Sequence, residues 1–139
     1  MTRFTIGLCL ASVFATSWAL AQSDPRHSGY QDMGPELRRM QDDDTANPAM
    51  LFVQAGQVLW QEKAGTANKA CADCHQDAAT SMKGVAARYP AIPPGADEPV
   101  DLEGRINLCR TERQQAPALE PESPDLLGLT AYVALQSRG

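Results

Sequence analysis

Cys71-Ala72-Asp73-Cys74-His75 is the stretch on which the reading of this chain turns. Two thiols three positions apart, followed at once by an imidazole, let each sulfur add to one vinyl group of a porphyrin while the imidazole is left toward the iron. The run is the attachment pattern of a c-type haem, with Cys71 and Cys74 as thioether positions and His75 as an axial ligand. Taken alone, the five residues also allow a Cys-x-x-Cys redox pair beside an incidental histidine, or part of a zinc site that Cys109 would complete. A tetrahedral zinc site would be strained by ligands as close as Cys74 and His75, and export of the chain favours haem.

That export is read from the first residues. Met1-Thr2-Arg3 precedes an apolar run from Phe4 to Ala15 and on through Trp18, and Ala19-Leu20-Ala21 stands before Gln22. This is the pattern of a secretory signal, with cleavage expected after Ala21 and the periplasm as destination. Ser12, Thr16 and Ser17 interrupt the run, which falls short of the roughly 18 consecutive apolar residues of a spanning helix. Cys9 follows the large Leu8, where a lipidated cysteine needs a small neighbour, so it leaves with the signal. The 139 residues carry a formal net charge of −5, or −6 once Arg3 is removed, and suit one small domain. An acidic chain of this kind favours neither nucleic acid nor an anionic membrane as a partner, and an anionic substrate would need a local positive site.

Outward from the motif, helical signals dominate. Residues 22–47 read as a polar N-terminal extension, with a short helix from Pro35 to about Gln41. Asn47-Pro48 is a helix start, and Leu51, Ala55, Val58 and Leu59 form a stripe expected to face the cofactor, with Gly65 as the stop. Lys83 to Pro99 is rich in Gly and Pro and reads as a loop over one edge of the haem. Asp101 caps a helix running from Leu102 to about Arg113, on which Ile106, Cys109 and Arg113 share a face. Ser123-Pro124-Asp125 opens the last helix, whose apolar face is Leu126, Leu127, Leu129, Tyr132, Val133 and Leu135. No strand-like alternation occurs, so the expected class is all-α.

With two cysteines consumed by haem and Cys9 removed, Cys109 is left alone. Three fates are open to it: an inert buried thiol, an intermolecular disulfide, or a functional ligand.

The order of helix, C-x-x-C-H, loops and terminal amphipathic helix resembles the class I cytochrome c fold over residues 48–139. That resemblance implies a close crossing of the first and last helices, with Gly56 and Trp60 against Leu129 and Tyr132. It also implies a methionine ligand well downstream of the motif, and here the sequence departs. No methionine follows Met82, only seven residues beyond His75, and His27 sits in the extension. Cys109, 34 residues past His75, is the best-placed donor left.

More specifically, the chain resembles the SoxA family, the A subunits of sulfur-oxidising cytochrome complexes. The matching runs are Ser28 to Pro48, Ser81 to Pro90, Ile106 to Arg113 and Ser123 to Gly139. The resemblance implies a subunit of two cytochrome domains that pairs with a SoxX-type cytochrome subunit. The complex joins thiosulfate oxidatively to a cysteine of a carrier protein. It further implies His75 and Cys109 as axial ligands of a first haem, and a second, reacting haem in a domain for which this chain has no counterpart. The expectation is a haem domain that transfers electrons or supports the complex without carrying the thiosulfotransferase reaction itself. A stand-alone low-potential electron carrier is the competing expectation.

Overall fold

The computed structural model describes residues 27–95 and 97–138, so the signal sequence lies outside the described residues. A division between two units falls between Met33 and Gly34. In the first, Ser28 caps a 3₁₀ turn at Gly29–Asp32 by accepting a hydrogen bond from the Tyr30 amide, and His27 pairs with Asp32 at 3.0 Å.

The larger unit is built from helices: α1 (Pro35–Asp42), α2 (Met50–Gln61), α3 (Cys71–His75), α4 (Ala78–Ser81), α5 (Leu102–Cys109) and α6 (Pro124–Leu135). β-Pairing among the described residues is limited to two isolated bridges, Ala64 with Lys69 and Ala91 with Val100. The all-α, class I cytochrome c-like expectation holds.

The frame is the crossing of α2 and α6. A Cβ at Gly56 would land on the backbone carbonyl of Gly128 and 2.8 Å from Tyr132 Cβ, so two glycines let the backbones meet. Beside them Trp60 packs edge-on against Tyr132, ring centres 5.8 Å apart, and Val53, Leu126, Leu129 and Val133 are buried around the contact. The crossing is the one the resemblance implied, but its second glycine, Gly128, was not singled out in the sequence.

That crossing overturns the expected stripe on α2. Leu51 and Val58 are each 68% exposed, Ala55 is exposed and Leu59 is half-buried, whereas Val53, Gly56 and Trp60 are buried. At about 100° per residue the two sets lie on opposite sides of the helix. The glycine that permits contact and the tryptophan that fills it orient α2, and counting apolar side chains points the other way.

Three boundaries also move. Asn47 Oδ1 accepts from the Ala49 amide and starts a turn, so the helix proper begins at Met50. The helix stops at Gln61 rather than at Gly65; Gly65, at φ +65, forms instead a turn pressed against residues 114–116. Asp101 does cap α5, its Oδ1 accepting from Gly104 N at 2.7 Å. The α-helix nevertheless ends at Cys109, and Arg110–Gln114 continue as a π turn closed by Gln115 at φ +53.

Candidate functional site

Each residue of the motif has work in α3. Asp73, at the third helical position, reaches back so that its carboxylate accepts from the Ala70 amide at 2.9 Å, satisfying a free donor at the helix start. Ala72 and Cys71 pack against the core cluster of Trp60, Ala78 and Val133. Immediately past His75 the chain turns sharply at Gln76, φ 57 and ψ −135, and the Trp60 indole N–H donates to the Gln76 carbonyl at 3.0 Å. The same indole lies beside the His75 ring, centres 5.8 Å apart and tilted by 38°. Thus the tryptophan that orients α2 also fixes the exit of the motif.

Cys71, Cys74, His75 and Cys109 line one cavity of about 250 Å³. Its other walls include Trp60, Met82, Val85, Leu102, Ile106, Leu129 and Val133, which are apolar, and four cationic side chains, Lys69, Arg105, Arg110 and Arg113. No carboxylate is among the described residues lining it. All three cysteines of the described chain are free thiols. Burial pushes the Cys71 thiol above its ordinary pKa; nearby Arg110 acts against that rise and Cys109 adds to it. Desolvation by its neighbours, then the positive charge of Arg105, hold His75 below its ordinary value, which favours the neutral imidazole that binds a metal.

The four residues singled out in the sequence are therefore brought to one wall system, with Ile106 and Arg113 beside them as the helical spacing implied. Met82, seven residues beyond His75, also lines the cavity. His27 lies in the first unit, paired with Asp32.

Gln114 had no signal in the sequence. It is 5% exposed, its Nε2 donates to Lys69 O at 3.0 Å and lies 3.8 Å from Cys71 Sγ, and its Oε1 is buried with no hydrogen-bond partner among the described residues. Arg105 and Arg110 were likewise missed, since one-letter periodicity does not distinguish a cation on a cavity wall from one on a solvated face.

The donor set fits haem: two thiols and an imidazole on one short helix, a further thiol on another element, and an apolar wall whose cations can balance an anionic cofactor. Among the described residues no three His, Cys, Asp or Glu side chains lie close enough to hold a bare metal ion, so Cys71, Cys74, His75 and Cys109 share a cavity wall without forming the tetrahedral cage of the zinc alternative. A helical domain with this site is a c-type cytochrome domain, carrying covalent haem c with its iron.

Comparison with known proteins narrows the class. The family model for the SoxA/TsdA cytochrome c domain matches residues 55–139, and the chain belongs to that family. It is 40% identical over 112 residues to the L-cysteine S-thiosulfotransferase subunit SoxA of Pseudaminobacter salicylatoxidans, 81% of this chain and 39% of that protein. It is 35% identical over 116 residues to the same subunit of Rhodovulum sulfidophilum, 84% of this chain and 40% of that protein. Among solved structures it is similar to SoxXA from P. pantotrophus, with a TM-score of 0.72 and 32% identity, over 81% of this chain and 42% of that one. The chain thus spans about 40% of the length of the curated relatives it matches.

Proposed function

We propose that this chain is the first haem domain of a SoxA subunit. In this reading it is exported to the periplasm by a signal cleaved after Ala21, which leaves an N-terminal extension over residues 22–47 followed by the cytochrome domain over residues 48–139. Cys71 and Cys74 hold the haem through thioethers, and His75 and Cys109 complete the iron coordination. The observation that carries the reading is that these four residues, from α3 and α5, line one largely apolar cavity with no carboxylate among the described residues of its wall.

Bound there, the haem supplies one-electron transfer, and a thiolate ligand stabilises its ferric state and gives a low potential. The chain's own contribution is placement. Asp73 caps the helix that carries both thioether positions, Trp60 holds the turn after His75, and Asp101 anchors the helix that presents Cys109. With His75 and Cys109 both holding the iron, no position would be left for substrate, and the domain would serve electron transfer or support within a complex with a SoxX-type subunit. The complex as a whole would join thiosulfate to a carrier-protein cysteine. No described helix is long and apolar enough to cross a membrane.

The test is spectroscopic. Produced in a host with haem-attachment machinery, the chain is expected to keep its Soret band through denaturation and acid extraction, and to be low-spin when oxidised. Cys109→Ala is expected to open the iron to cyanide and imidazole, and Cys109→Met to raise the reduction potential. An unchanged low-spin spectrum in Cys109→Ala ends the ligand assignment. Co-purification with a SoxX-type subunit tests the partner.

A further inference from the structure

Cys109 stands at the last position of α5, where the helix widens into the π turn Arg110–Gln114. In a continuous α-helix a residue five positions on would lie about 140° around the axis from Cys109. The wide turn changes this register, and Gln114 lines the same cavity as Cys109. Single π turns inside α-helices recur where function demands a side chain out of ordinary register.

The Gln114 amide then reaches across to the segment that leads into the attachment motif. Its Nε2 donates to Lys69 O at 3.0 Å and lies 3.8 Å from Cys71 Sγ, so one planar group touches both the approach to α3 and a thioether cysteine. Backbone bonds run alongside: Ala67 N donates to Gln114 O at 3.2 Å and Thr66 N to Gln115 O at 3.3 Å. Gly65 makes the approach possible, because a Cβ there would fall on the Gln114 carbonyl and within 2.6 Å of Ala116 N. The backbone bonds already fasten the turn. What the buried side chain adds is a fixed relation between the cysteine that carries the haem and the helix end that presents Cys109.

We propose that Gln114 is the positioning residue that keeps Cys109 on the haem iron, by pinning the turn after Cys109 to Lys69 and Cys71. This inference rests on the axial assignment of Cys109 above. Removing the amide leaves the chain folded by its backbone clasp but lets the Cys109 thiolate leave the iron more easily.

The experiment uses the haem-loaded chain and measures imidazole binding to the ferric form, the reduction potential and thermal stability. Gln114→Met keeps the length and removes both N–H donors; Gln114→Glu keeps the shape, and carries the same expectation if the Met variant does not fold. Either is expected to bind imidazole about 10- to 100-fold more tightly than the wild type, the range by which outer residues act on metal ligation, with a raised potential. Asn107→Ala is the structural control. It removes the paired bonds between Asn107 and Leu119, at 3.0 and 2.8 Å, on the same helix but away from the cavity wall. It is expected to lower thermal stability with imidazole affinity unchanged. Wild-type affinity and potential in both Gln114 variants overturn the proposal, as does an equal gain of imidazole affinity in Asn107→Ala. If Cys109→Ala shows a wild-type spectrum, the axial assignment itself fails and this inference falls with it. A changed spectrum there, beside unchanged Gln114 variants, sinks the inference alone.

Discussion

Gly56→Ala asks whether α2 and α6 meet as closely as the structure has them. The new methyl would occupy the Gly128 carbonyl group and press on Tyr132, neither of which is the free end of a flexible side chain, so the helices must part. Five buried side chains, Val53, Trp60, Leu126, Leu129 and Val133, depend on that contact, and at about 2 kcal/mol each their burial amounts to about 10 kcal/mol. A gap of 0.5–1 Å forfeits a quarter to a half of a contact's depth, which gives a loss of about 3–5 kcal/mol. Better helix propensity returns about 1 kcal/mol, leaving a net cost of about 2–4 kcal/mol. For a domain of this size that is a fall in Tm of about 10–25 °C, read by circular dichroism on the haem-loaded chain. Gly34→Ala is the control: a Cβ there meets nothing within 4 Å and the backbone is extended, so Tm should stay within about 2 °C. A Gly56→Ala protein as stable as the control would refute the glycine-to-glycine crossing.

Trp60→Phe removes the N–H that holds Gln76 O and part of a buried ring, and is expected to cost about 2–3 kcal/mol by thermal unfolding. No loss would mean that the turn after His75 is held by something else. Asp101→Ala takes away the side-chain cap of α5 and should cost about 1 kcal/mol, with Asp101→Asn nearly neutral. Arg138→Ala breaks a half-exposed ion pair with Asp44, 2.7 Å long, and should change stability by less than about 0.5 kcal/mol, with the difference gone in 1 M salt. A large, salt-resistant loss would show that this pair does more than sit on the surface.

Much of the site was legible before any coordinates. C-x-x-C-H carries its chemistry in spacing alone, and short-range signals such as Asp101 and Ser123 as caps hold because a cap satisfies amides two or three residues away. Cys109 emerged from the sequence by elimination together with family resemblance, and helical spacing placed Ile106 and Arg113 beside it.

What the sequence alone determined were thus the local terms: the C-x-x-C-H spacing that suits a haem, the caps of α5 and α6, and that the class is all-α. Tertiary structure decided the direction each helix faces. The apolar stripe of Leu51, Ala55 and Val58 looks outward because Gly56 and Gly128 allow a closer approach on the other side, and glycine contributes nothing to an apolar count. Tertiary structure also decided Gln114, whose partners are 45 and 43 residues away in the chain. Its placement depends on a widened turn, on a glycine at position 65 and on a cavity wall made by other helices. Such contacts are settled only when distant backbones pack, and no local propensity encodes them.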